Sequence, residues 1–126
     1  MIHFLLPLMR KASWGRIINI ASASIFEGNV GQTHYVAAKA DVTSSLAMEV
    51  GDYGLTAKAV APGLTSTEPL QQSMPEELIT AMREVRAFKR DEQPSDLAGP
   101  VFLLVSPDSN FVIGQLLVVD GGKIKH

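Results

Sequence analysis

Three side chains carry the chemistry at a spacing that matters: Ser22, Tyr35 and Lys39. Tyr35 and Lys39 lie four positions apart in the stretch HYVAAKA. On a helix, positions i and i+4 share a face, so the lysine ammonium can approach the phenol. A free tyrosine, with a pKa of about 10, is a poor acid or base at neutral pH. A nearby cation favours the phenolate and lowers that pKa. Proton transfer is most efficient when the pKa lies near the operating pH. Tyrosine plus lysine at this spacing is thus a sensible proton-transfer unit, and a serine at an adjacent strand end could hold a carbonyl oxygen. The same spacing also describes a half-buried tyrosine and a solvated lysine on an ordinary helix. Ser22 alone reads as readily as a helix cap or strand-end serine.

The elements that would position these residues follow from pattern. MIHFLLPLMRKAS reads as the end of an amphipathic helix, stopped by Gly15 with Arg10 and Lys11 near its C-terminus. It lacks the basic n-region of a signal peptide, Pro7 interrupts its apolar run, and it is too short to span a bilayer. RIINIAS (16–22) is a buried strand, SIFEGNVGQT is a loop, and residues 33–50 are expected as one helix followed by Gly51 and Gly54. LTAKAVAP (55–62) is a second buried strand ended by the turn Pro62-Gly63. Residues 64–76, with Pro69 and Pro75, are expected as a mobile loop. PEELITAMREVRAF is a helix, QPSDLAGPVFLLVSP another with Ser95 as its N-cap, and GQLLVVDGG a third strand.

Buried strands alternating with helices predict right-handed crossovers and a parallel α/β sheet. In such sheets ligands sit beyond the C-terminal strand ends. Those ends are Ser22, Pro62-Gly63 and Asp120-Gly121-Gly122.

The 126 residues allow one modest domain, and 46% hydrophobic side chains suffice for a core, which argues against disorder. A net charge of −2 gives no electrostatic case for nucleic acid or an anionic membrane. The absence of cysteine removes disulfides and thiolate metal sites and fits a cytoplasmic location. His3, His34 and His126 are scattered, so no metal site is expected.

Taken jointly, Ser22 thirteen residues before Tyr35, GQTHYVAAKA around the tyrosine, VAPG after the next strand and the ending GQLLVVDGG resemble the short-chain dehydrogenase/reductase family. The likeness runs from about Arg10 to the C-terminus. It implies a Rossmann-like parallel sheet with flanking helices, of which this chain would be the C-terminal half, about three strands in one partial NAD(P)-binding domain over residues 1–126. The resemblance makes Tyr35 the acid/base, Lys39 the residue that lowers its pKa and binds the nicotinamide ribose, and Ser22 the group that polarises the substrate carbonyl. It further implies that Tyr35, Lys39, Pro62, Gly63, Leu64, Thr65 and Thr67 bind NAD or NADP, with Thr67 at the carboxamide or the phosphates. Residues 66–90 would cover the substrate, with His34 and the 24–31 loop beside the pocket. Thr67 as a turn cap and His34 as a surface residue remain open. Within the family, THY and VDGGKIKH look like reductases of aryl ketones and secondary alcohols, and the 3-oxoacyl carrier-protein reductases are the nearest rival.

The sequence departs from the family pattern in three places. The glycine-rich phosphate motif, the N-N-A-G segment and the helical asparagine that supports the lysine are absent, and backbone amides of that glycine turn normally hold the pyrophosphate. From Lys39 to Pro62 there are 23 steps, about three fewer than usual, with the deficit between Asp41 and Leu46. Removing three residues shortens a helix by about 4.5 Å and rotates its downstream part by about 60°, so the helix must repack, kink or end early. Lys58 stands where an asparagine is common, and Asp41 where a glycine or small residue is usual.

The resemblance and its gaps support two functions: an NAD(P)-dependent oxidoreductase acting on a small ketone or secondary alcohol, and a truncated, non-catalytic remnant or assembly module. An open edge strand and apolar patch predict self-association, as a homo-oligomer, or dependence on a missing half.

Overall fold

The strand LTAKAVAP is the centre of the molecule, buried at seven of its eight positions. Its apolar and β-branched residues, bounded by Gly54 and Gly63, meet the requirement for a strand covered on both faces. The computed structural model describes residues 2–28, 30–40 and 42–125. Asp41 and His126, singled out in the sequence, lie outside the described residues, as does the side chain of His3.

The sheet has three parallel strands in the order β1-β2-β3: β1 (Gly15–Ile20), β2 (Leu55–Pro62) and β3 (Leu116–Val119). Gly15 pairs with Leu55 and Ile20 with Val60, while Ala59 pairs with Leu116 and Pro62 with Val119. This register brings the C-terminal ends of all three strands to one edge, where a parallel sheet offers its ligand crevice. β1 stops at Ile20, two residues short of the expected Ser22.

Helix α1 (Ile2–Ala12) and helix α3 (Thr43–Val50) cover one face. Ile17, Ala47, Val50, Leu55 and Ala57 form the buried cluster there, with Leu6, Met9 and Leu46 packed against it. Burying Leu55, 1% exposed, contributes about 2 kcal/mol by its apolar area. Pro7 lies inside α1, which runs through it at the cost of one backbone hydrogen bond. Gly54 has φ +71°, and a Cβ there would lie 2.7 Å from the Ser13 carbonyl, so the turn into β2 admits glycine alone.

Helix α6 (Pro94–Val105) crosses the other face. Lys58, with no exposed surface, reaches it from β2. Its Nζ donates to the Leu104 carbonyl at 2.7 Å, the Ser109 carbonyl at 2.7 Å and Ser109 Oγ at 2.6 Å. Burial lowers the Lys58 pKa, and repulsion from Arg16 adds to it. Three acceptors answer the three ammonium donors at the negative end of α6, which is how a buried lysine is tolerated where a neutral side chain is more usual.

Three sequence expectations change. The helix expected over 33–50 is two helices, α2 (Thr33–Lys39) and α3, separated at Ala40, whose ψ of 135° is not helical. An early ending is one of the three outcomes that the three-residue deficit allows. The loop expected over 64–76 contains α4 (Glu68–Ser73), with Pro69 in its first turn, a position where a missing N–H costs nothing. Helix α6 starts after Gln93 rather than at Ser95, because the Asp96 carboxylate accepts from the Gln93 amide at 2.8 Å. The helix expected from Pro75 is α5 (Glu76–Val85).

Candidate active site

Ser22 lies just past the end of β1 and caps a short 3₁₀ turn (Ala23–Phe26). Its Oγ accepts from the Ser24 amide at 3.3 Å and lies 2.8 Å from Ser24 Oγ. The capping role and the position at the strand end thus coexist in one residue, which is 9% exposed.

Lys39 ends α2 and is tied back to the same strand: its Nζ donates to the Ile20 carbonyl at 3.2 Å. Tyr35 lies one turn earlier on α2, 42% exposed, and its hydroxyl makes no hydrogen bond among the described residues. Ser22 and Lys39 therefore both attach to the end of β1, and the helix places the tyrosine on the lysine's face. His34 and Val30 are exposed beside it. A cavity of about 190 Å³ opens between the end of β1 and the helix break, lined by Asn19, Ile20, Ala21, Lys39, Ala40 and Val42. Asn19 Nδ2 donates to Thr43 Oγ1 at 2.9 Å and so anchors the start of α3 to β1 across the break.

The Pro62-Gly63 turn continues the same edge. Gly63 donates to the Val119 carbonyl at 3.0 Å, which ties the turn to β3. A Cβ on Gly63 would lie 2.7 Å from Glu92 Oε2 and 2.9 Å from the Asp120 Cβ, so nothing larger than glycine fits. Thr67 is exposed at the start of α4 and makes no side-chain cap bond; Ser66 beside it is buried.

Several residues at this edge carry no mark in the sequence. The Glu92 carboxylate accepts from Thr65 Oγ1 at 2.7 Å and from the Gly63 amide at 3.2 Å. Burial raises its pKa above the ordinary glutamate value, against the lowering pull of Thr65 and Arg86. Lys123 Nζ lies 2.7 Å from Glu27 Oε2 and joins the tail to the turn after Ser24. Asp120 has a legible signal, an Asp before two glycines: its Oδ1 accepts from the amides of Gly122 and Lys123, and its Oδ2 from Ile124.

Among the described residues, no group of histidines and carboxylates could hold a metal ion, and no helix is long and apolar enough to cross a membrane.

The three parallel strands with flanking helices define a Rossmann-like α/β fold, and comparison gives the family. A family model described as Enoyl-(Acyl carrier protein) reductase matches residues 1–123. The chain is 38% identical over 119 residues to Nodulation protein G of Azospirillum brasilense, covering 92% of this chain and 48% of that protein. It is 41% identical over 117 residues to the 3-oxoacyl-[acyl-carrier-protein] reductase FabG of Pseudomonas aeruginosa, covering 90% and 47%. Among solved structures it superposes on a 7α-hydroxysteroid dehydrogenase complexed with NADH and 7-oxo glycochenodeoxycholic acid. The TM-score is 0.92 at 28% identity, covering 98% of this chain and 50% of that one. The chain belongs to the short-chain dehydrogenase/reductase family, and it spans about half the length of the curated relatives it matches.

Proposed function

We propose that this chain is the proton-transfer half of an NAD(P)-dependent oxidoreductase acting on a ketone or secondary alcohol. The observation that carries the reading is the attachment of Ser22 and Lys39 to the end of one strand, with Tyr35 one helical turn from Lys39. The described residues fit the nicotinamide end of a dinucleotide. Lys39 keeps ammonium donors beyond the one given to Ile20, and a cavity opens beside it. The bound dinucleotide would supply or accept a hydride at the substrate carbon. In the reducing direction Tyr35 gives its phenolic proton to the substrate oxygen as the carbonyl becomes an alcohol; in the oxidising direction the phenolate takes it back. Lys39 steadies the phenolate by charge and would hold the ribose by hydrogen bond. Ser22 keeps its proton and donates a hydrogen bond through its hydroxyl to the substrate oxygen, in place of its contact with Ser24. Pro62, Gly63, Leu64, Thr65 and Thr67 would hold the nicotinamide end.

Titration with NADH and NADPH, with subsequent assay against small ketones, tests this reading. Saturable binding and ketone-dependent oxidation are expected. No binding at millimolar dinucleotide would overturn it and leave the non-catalytic assembly module in its place.

We also propose that the chain associates with itself. Both outer strands of the sheet are edges, and Phe102 on α6 and Phe111 after it stand 74% and 102% exposed. Apolar surface beside an open edge favours pairing. Sedimentation should show a dimer or larger; a monodisperse monomer contradicts it.

A further inference from the structure

We propose that Glu92 and Arg86 are positioning residues for the 62–67 turn, holding its backbone in the conformation offered to the dinucleotide. The inference rests on the reading of that turn as a cofactor contact. Four consecutive residues are held by this pair. The Gly63 amide donates to Glu92 Oε2 at 3.2 Å, and the Leu64 carbonyl accepts from the Arg86 guanidinium at 2.6 Å. Thr65 Oγ1 donates to Glu92 Oε1 at 2.7 Å, and the Ser66 amide donates to the Glu92 carbonyl at 2.6 Å.

Both side chains are 4% exposed, and the charged groups lie 3.8 Å apart. Arg86 further donates to the Arg90 carbonyl at 3.1 Å. Stability alone gives little reason for such a pair, since buried ion pairs often contribute no more than apolar residues of the same volume. What directional donors and acceptors add is one backbone geometry in preference to its neighbours. The glycine agrees with this, because the space a Cβ would need at Gly63 is filled by the Glu92 carboxylate itself. Arg86 sits at the C-terminal end of α5 and Glu92 precedes α6, so the turn is fixed from two helices at once. Neither residue needs to touch the dinucleotide to affect how it binds.

The test compares the full chain with Glu92→Gln, Glu92→Ala and the double variant Arg86→Met/Glu92→Leu. Amide hydrogen exchange is read residue by residue, beside NADH and NADPH titrations. In Glu92→Ala the Gly63 amide, left with its bond to the Val119 carbonyl alone, should exchange severalfold faster, and the Ser66 amide, whose acceptor is the main chain of residue 92, should follow because the side chain no longer fixes the turn. Amides of Ala57, Ala59 and Val60 in β2 should change less than about twofold, and dinucleotide Kd should rise about tenfold. Glu92→Gln keeps one acceptor oxygen and should recover part of both effects. Unchanged exchange at Gly63 and Ser66 would overturn the proposal, whether or not dinucleotide binds. Equal loss of protection in β2 would overturn it too, by showing a general role in stability. Should Glu92→Ala fail to fold, the double variant, which refills the volume without charge, carries the same comparison. A loosened turn in a chain that never binds dinucleotide would support the clamp and overturn only the cofactor reading.

Discussion

Helix α2, which carries Tyr35 and Lys39, has no buried residue among its seven, whereas the turn after β2 has every residue from Gly63 to Ser66 tied by a hydrogen bond. Both belong to the edge where the strands end. Among the described residues α2 has one side-chain bond to the sheet, from Lys39 to Ile20, beside its packing on the 23–26 turn, and its continuity with α3 is broken at Ala40. A helix of this length has little stability of its own, and packing must supply the rest. The turn is tied to the end of β3 through the Gly63 amide, with the buried Glu92 carboxylate behind it. Segments with few buried contacts open locally at low cost, so α2 is the more mobile partner and the 62–67 turn the fixed one.

The largest expected effect falls on chemistry. Tyr35→Phe should lower turnover by about a thousandfold, within the range for loss of a general acid/base, while the thermal midpoint of this half-exposed site stays put. Gly63→Ala attacks the fixed side. The new methyl meets Glu92 and Asp120, and overpacking should cost about 2 kcal/mol in urea unfolding. A neutral result there would mean that the turn is as adaptable as α2. Inserting three alanines after Ala40 acts on the mobile side. It restores the missing helical turn, and exchange of the α2 amides should slow severalfold as α2 and α3 fuse. The smallest effect is on pH dependence. Arg90 and the Gln93 amide hold the Asp96 pKa at about 2, so its stabilising contribution is present above the ordinary aspartate value and lost as pH falls through about 2. Glu92 has the opposite sign: its pKa is raised, so stability is lost as pH rises from the ordinary glutamate value through the raised one. Asp96→Asn should flatten the acid limb of an unfolding profile and leave the Glu92 limb.

The two regions also differ in how far the sequence discloses them. β2 was legible to its ends, because a mostly apolar run, interrupted by Thr56 and Lys58, lies between Gly54 and the Pro62-Gly63 turn. The break after Lys39 was legible only as a three-residue deficit. Local propensity stays helical through Ala40, and what ends α2 is the need to bring Thr43 to Asn19 and the α3 core onto β2. The serine, tyrosine and lysine stood out because their chemistry is distinctive and their spacing fixed. Glu92 did not. It lies 29 positions from Gly63 in a run of ordinary charges, and only the tertiary fold brings the two together. Helix α4 was hidden by its one proline, Pro69, which suits a first turn as well as a loop.

The central claim is that this chain moves a proton from Tyr35 while a hydride passes between dinucleotide and substrate. Supplying NADH or NADPH deuterated at the transferring position, with a ketone, and reading the alcohol by mass spectrometry tests it most directly. The account predicts one deuterium on the carbinol carbon with the wild-type chain and almost no labelled product with Tyr35→Phe. Labelled alcohol formed equally by both chains, or by neither, would contradict it.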